Sequence, residues 1–231
     1  MTNPPKQQNN AFWIVAAVLA AGAIGFVLWQ NNAPKPSASP EAVKLIGLGG
    51  SAILDRPTLG EPTAKIQVTV FEDFKCPNCK RYGEQVFPQM RDKYINTGKI
   101  RYTFLNYPFL AADSKIAALA AMCVHKEDPT HFWEYEEIIF RAQKDEKEAW
   151  VTPEYLTQIA ENVSGLDTQK LKQCIADKRY EKEVDADKAL LEQLLPPDQL
   201  GTPAVFVNGK KVDARAIDDF LNAVEDALKS S

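Results

Sequence analysis

The sequence predicts an α/β fold in which a strand–helix–strand unit, four or five consecutive helices and a strand–strand–helix unit follow one another, preceded by one apolar membrane-spanning helix. Three observations predict it. Residues 66–71 (IQVTVF) and 100–105 (IRYTFL) are alternating or β-branched, and apolar residues between them fall at helical spacing, the pattern of a parallel βαβ unit. Residues 114–195 carry helical spacings throughout. Asn208-Gly209 then stands between AVFV and KKV, the strongest two-residue hairpin signal.

Taken in order, the chain opens on a polar stretch with Lys6, followed by an uncharged run of nineteen residues from Ala11 to Trp29. As a helix that run spans roughly 28 Å, close to the hydrocarbon thickness of a bilayer. It is longer than the apolar region of a signal peptide and ends in VLWQN, a poor cleavage site, which favours an uncleaved anchor. Trp13 and Trp29 stand near its ends, where indole prefers the lipid interface. Lys6 and Lys35 balance, so charge does not orient the span. NNAPKPSASP is an extended Pro/Ser spacer, and RPTLGEPTAK is rich in turn residues.

Past the first strand, Tyr82, Val86, Phe87 and Met90 share a helical face that Pro88 should bend. Helices are expected over 114–125, with Ile116, Leu119 and Cys123 on one face, and over 131–144, with Phe132, Tyr135 and Ile139 together. Thr152-Pro153 is an N-cap followed by proline at the first helical position. Asp167 opens a helix carrying Leu171, Cys174 and Ile175, and 180–195 reads as another that Pro196-Pro197 ends. Residues 213–228 close the chain as an amphipathic helix through Ile217, Phe220, Leu221, Val224 and Leu228.

Composition is that of a globular protein, with 45% hydrophobic and 25% charged residues. Twenty-seven basic against thirty-one acidic residues give a net charge of −4, without the concentrated basic face that nucleic acid requires. The sequence holds no Gly-rich phosphate loop or Ser/His/Asp arrangement. His125 and His131 read as packing or surface residues rather than ligands, and Phe132, Trp133 and Tyr135 as core.

Cys76-Pro77-Asn78-Cys79 carries the chemistry. A zinc site needs two more ligands at compact spacing, and Cys123, Cys174, His125 and His131 form no such knuckle. A structural disulfide at this separation would close a tiny loop for little entropic gain. A redox pair has a physical basis, because the motif sits where a strand ends and a helix begins. Cys76 would cap the helix, whose unpaired N–H groups and dipole stabilise a thiolate, and Pro77 suits the first helical position. Lys75 and Lys80 would add positive charge, partly offset by Glu72 and Asp73. Cys76 is thus expected to be the exposed, low-pKa sulfur and Cys79 its buried partner.

FEDFKCPNCKRYGEQVFP, FWEYEEIIF and GTPAVFVNGKKV together resemble the DsbA-like branch of the thioredoxin superfamily, over residues 57–228. The resemblance implies a thioredoxin fold interrupted by an inserted helical domain, and a cis Pro203 packing beside the dithiol with the Thr202 backbone offered to an extended substrate. It implies that Pro77, Asn78, Thr202 and Pro203 support the site. One position departs from the pattern. Val70 stands six residues before Cys76, where many relatives carry a buried acid for proton transfer, and Glu72 and Asp73 are read as loop residues. Asn78 replaces the histidine of the best-known DsbA.

Cys123 and Cys174 lie on apolar helix faces, as buried free thiols or a disulfide would; a bridge is favoured and would close a loop of about fifty residues, worth roughly 4 kcal/mol. Four cysteines in two pairs suit an oxidising compartment. The expected division is a cytoplasmic tail at 1–10, a transmembrane anchor at 11–29, a linker at 30–56, thioredoxin-like parts at 57–110 and 197–231, and a helical insertion at 111–196. The expected function is disulfide introduction into reduced exported proteins by a single-pass membrane enzyme whose catalytic domain is extracytoplasmic. It would need no organic cofactor and no metal, and a quinone-linked membrane partner would reoxidise it. A reductase or isomerase, or a non-catalytic binding module of the same fold, are the alternatives.

Overall fold

Alternation along β2 (Ile66–Glu72) sends Ile66, Val68 and Val70 to one face of a sheet and Phe71 to the other, all of them fully buried. The computed structural model describes residues 55–214 and 216–231. The expected anchor at 11–29 and nearly all of the linker lie outside the described residues. Among the described residues no helix is long and apolar enough to cross a membrane.

Five strands form the sheet in the order β1-β3-β2-β4-β5. β3 (Ile100–Asn106) runs parallel to β2. β4 (Ala204–Val207) is antiparallel to β2 and β5 (Lys210–Val212) is antiparallel to β4. The hairpin between β4 and β5 turns at Asn208 and Gly209, with φ of 47° and 80°, the positive values that an Asn-Gly turn demands. β1 (Thr58–Leu59), antiparallel to β3, falls in the segment that the turn residues marked as irregular. Two residues are too few to leave a periodic trace.

The helix after Cys79 is divided: α1 (Pro77–Gln85) gives way to α2 (Phe87–Met90) and a π turn over Arg91–Ile95. Pro88 brings no N–H, and its ring crowds the carbonyl four residues back, which accounts for the break. Between β3 and β4 stand α3 (Ser114–Glu127), α4 (Phe132–Arg141), α5 (Pro153–Ala160), α6 (Thr168–Ala176) and α7 (Glu181–Leu194). Thr152 Oγ1 accepts from Tyr155 N at the start of α5, and Asp167 caps α6 through Gln169 N and Lys170 N. The closing helix α8 (Ile217–Lys229) begins at Ile217, the first residue of its apolar spacing, rather than at the expected 213.

One face of the sheet packs Ile66, Val68, Val70, Tyr102, Phe104 and Val205 into a core shared with α1, α3, α4 and α8. On the other face Phe71, Leu105 and Phe206 meet Leu190, Leu191 and Leu194 of α7. Each such buried side chain contributes about 1.5–3 kcal/mol. A strand–helix–strand unit, an inserted set of helices and a returning strand–strand–helix unit make this a thioredoxin-type α/β fold with a mixed sheet.

Candidate active site

β2 and β4 are neighbours, with Phe71 paired to Ala204 at the last rung. The chain leaving β2 therefore passes the chain entering β4, and the two cysteines meet the Thr202-Pro203 segment although 126 residues separate Cys76 from Thr202. The Thr202-Pro203 peptide bond is cis. Cys76 Sγ lies 3.4 Å from the Thr202 carbonyl oxygen, to which the thiol donates.

Cys76 is the N-cap of α1, in extended conformation, and Pro77 is its first residue. Both Cys76 and Cys79 are free thiols. Cys79 is wholly buried, as expected, but Cys76 keeps only 4% of its surface, so the sulfur is less exposed than the sequence suggested. Thr202 packs against it and closes one side. Pro77 and Asn78 beside it are exposed, and a groove of about 620 Å³ runs past Asn78, Gly201, Thr202, Pro203 and Lys211.

The Cys76 thiol is lowered to about 6, first by the Cys79 thiol, which donates to it, against the opposing cost of burial. The Thr202 side chain and the backbone N–H groups of Cys79 and Asn78 lower it further. The Thr202 hydroxyl is buried and makes no hydrogen bond within the protein. The helix start thus contributes as the sequence argument held, but the second cysteine contributes most. Burial pushes the Cys79 thiol well above its ordinary value. The two sulfurs of one motif are thereby shifted in opposite directions, Cys76 toward the thiolate and Cys79 toward the neutral thiol.

Lys75 does not act on the sulfur as expected. Its side chain is 1% exposed and turns away, donating to the Asp113 carboxylate at 2.7 Å and to the Glu148 carbonyl at 2.8 Å. Gln143 Nε2 donates to the carbonyls of Phe74 and Cys76, at 2.8 and 3.1 Å. Asp73 accepts from the backbone N–H groups of Lys75, Phe109 and Leu110. These groups frame the dithiol loop, and most come from segments distant in sequence, where periodicity carries no signal for them.

Glu72 is the other residue that the sequence argument misplaced. It ends β2 rather than lying in the loop, is 2% exposed, and sets its carboxyl against the Cys79 thiol. The alternation of Ile66, Val68 and Val70 already assigns position 72 to the core face that α1 covers, and that was the readable signal. Cys123 on α3 and Cys174 on α6 are joined by a disulfide, with Cα atoms 6.0 Å apart. Among the described residues no cluster of His, Cys, Asp or Glu is placed to hold a metal ion.

A sulfur primed as an anion beside a buried protonated partner, on a sheet of this order, does one kind of chemistry, thiol–disulfide exchange. The chain is a thiol-disulfide oxidoreductase. A family model described as Thioredoxin matches residues 54–226, and the chain belongs to that family, in its DsbA-like branch. It is 32% identical over 182 residues to "Disulfide bond formation protein D" of Bacillus subtilis (strain 168), covering 78% of this chain and 81% of that one. Among solved structures it is similar to oxidised BdbD from Bacillus subtilis, with a TM-score of 0.72, 31% identity and coverage of 77% of this chain and 95% of that one. DsbA of Chlamydia trachomatis matches with a TM-score of 0.69 and 27% identity, covering 76% and 93%.

Proposed function

We propose that Cys76 and Cys79 are the catalytic pair of an enzyme that introduces disulfides into exported proteins, with Pro77, Asn78, Thr202 and Pro203 supporting them. In the oxidised enzyme a substrate thiolate attacks Cys76 Sγ, the Cys76–Cys79 bond breaks, and Cys79 leaves with the electron pair. A second substrate thiolate then attacks the substrate sulfur of the mixed disulfide and releases Cys76 as a thiolate. The substrate ends with a disulfide and the enzyme with two thiols.

The observation that carries this reading is the placement of Cys76 as helix N-cap, with its sulfur 3.4 Å from the Thr202 carbonyl beside the cis Thr202-Pro203 bond and Cys79 one turn into the helix. Stabilising the leaving thiolate stabilises the reduced enzyme and makes the disulfide more oxidising. The half-buried segment Gly201–Pro203 and the adjoining groove suit an extended substrate segment laid alongside β4. Titration against glutathione buffers tests the direction: the expected potential is above roughly −200 mV, and a value near thioredoxin's, about −270 mV, would make the enzyme a reductase instead.

In this reading residues 57–110 and 197–231 form the thioredoxin-like part and 111–196 the insertion. Residues 11–29 anchor the chain in the cell membrane with residues 1–10 on the cytoplasmic side, and the catalytic domain faces outward. The supports are the uncharged run from Ala11 to Trp29 and the disulfide between Cys123 and Cys174. A quinone-linked membrane protein would accept the two electrons, and the anchor would hold both partners in one plane. Fractionation with protease protection of intact cells tests the placement.

A further inference from the structure

The helices after the dithiol and the first part of the insertion enclose a cavity that the exchange steps do not use. It holds about 560 Å³ between α1, α2 and α4, a size that accepts a small organic molecule. It shares no lining residue with the groove beside Thr202 and Pro203. Phe87, Trp133 and Phe140 form its apolar wall, the first two rings near-parallel with centroids 5.8 Å apart. Gly83 also lines it, and a Cβ there would meet no atom within 4 Å. Glycine inside a helix is destabilising relative to alanine, so α1 gives up stability at a position where the space beside it stays empty.

Glu136 of α4 lines the same cavity and is 9% exposed. Burial and the neighbouring Glu137 act on its carboxyl, and among the described residues no hydrogen-bond donor or cation does. A buried carboxyl without a donor is costly, and the cavity gives a ligand's donor access to it. The arginines at the wall are engaged elsewhere. Arg141 Nη2 donates to Glu137 at 2.7 Å, and Arg91 lies over the Phe87 ring and 3.8 Å from Asp92. Lys80 is left against Glu84, Glu134 and Glu136.

We propose that this cavity binds a small organic ammonium ion, its apolar body against the Phe87, Trp133 and Phe140 rings and its N–H groups donating to the Glu136 carboxylate. Both parts of the wall favour that chemistry, since aromatic faces attract a cation and an unpaired carboxylate accepts from one. An anion would meet Glu84, Glu134 and Glu136 instead. The assignment is independent of the reading of Cys76 and Cys79 as the reacting pair. Binding is coupled to the Glu136 proton: burial raises that carboxyl to about 8, with Glu137 adding repulsion. Glu136 also faces Glu72 of β2, Tyr82 of α1 and Tyr102 of β3. An ammonium ion favours the carboxylate, so affinity should tighten as pH rises from 6 to 8 and the proton leaves more readily.

Calorimetry and tryptophan fluorescence test the site on the full-length protein with Cys76 and Cys79 oxidised, so that neither thiol titrates. The probes are phenethylammonium, its neutral analogue phenethyl alcohol and the anion hydrocinnamate. Phenethylammonium is expected to bind at pH 8 with a dissociation constant below about 1 mM, and each analogue roughly tenfold more weakly. Glu136→Gln should weaken the ammonium about tenfold, the scale of a lost hydrogen bond to a charged group, and flatten the pH profile. Gly83→Leu, which fills the opening with a good helix former, should abolish binding. The exposed Glu161→Gln, just past α5, should leave it unchanged. Circular dichroism and thermal midpoints confirm folding, and if Glu136→Gln does not fold, the ranking of the probes and Gly83→Leu decide. No binding of phenethylammonium, equal binding of all the probes, unchanged affinity in folded Glu136→Gln or Gly83→Leu, or an equal loss in Glu161→Gln would overturn the site.

Discussion

The ammonium of Lys75 sits 2.7 Å from the Asp113 carboxylate, so the residue immediately before the first cysteine is bound to the residue that precedes α3. Lys75 is 1% exposed and Asp113 15%. An ion pair this deep contributes little net stability when intact, yet breaking it leaves an uncompensated charge. Asp113→Ala should lower unfolding free energy by roughly 3 kcal/mol, read from urea melts. Lys75→Met should cost less, because it removes the more deeply buried charge and leaves a carboxylate that is partly exposed and still accepts from Val151 N. A smaller loss for the alanine variant than for the methionine variant would show that the pair is not the anchor of the dithiol loop.

The groups lowering the Cys76 thiol can be ranked by removal. Thiolate absorbance should give a midpoint near 6 for the reduced protein. Thr202→Val should move it upward, toward the ordinary thiol range near about 8.5, and Cys79→Ala should move it further, since the Cys79 thiol is the larger contributor. The opposite order would return the main role to Thr202 and the helix start.

The same shift makes stability depend on pH in the reduced form alone. The Cys76 thiol is lowered in the folded state, so ionisation favours folding. That contribution is complete above the unfolded value, near 9, and is lost as pH falls through about 6. The oxidised form has no thiol to titrate. The thermal midpoint of the reduced protein should therefore rise relative to that of the oxidised protein between pH 6 and 9, and a constant difference would contradict the titration.

Cys123 and Cys174 close a loop spanning 51 positions. Replacing both by alanine should cost about 4 kcal/mol in the chain-entropy account. Exchange at Cys76 should persist at temperatures where the variant stays folded. A loss of exchange there would give the pair a role in the reaction.

Much of this was legible because it is local. The strand of 66–71, the cap at Cys76, Pro77 after it and the Asn208-Gly209 turn each rest on a few adjacent residues, and the structure has them where those residues put them. The frame around the dithiol was not legible, since Gln143 reaches Phe74 across 69 positions and Asp113 reaches Lys75 across 38. Short polar side chains in loops carry no period that would announce such contacts. Glu72 is the instructive miss: its parity within β2 pointed inward, but the strand was read as ending at Phe71 and Glu72 as a loop residue. The strand β1 escaped notice because two residues show no alternation.

The pairing of Phe71 with Ala204 fixes where the two chain segments part, and everything that meets at the sulfur is measured from that rung. Spatial accuracy at the reacting atom is therefore held by a hydrogen-bonded ladder and not by the length of polypeptide wound between its rails. Such a design lets the intervening helices lengthen, shorten or be exchanged at small entropic expense, provided Asp113 and Gln143 still arrive at their posts. A slip of one residue in the ladder, by contrast, would turn Thr202 to the far side of the sheet and leave Cys76 without its neighbour.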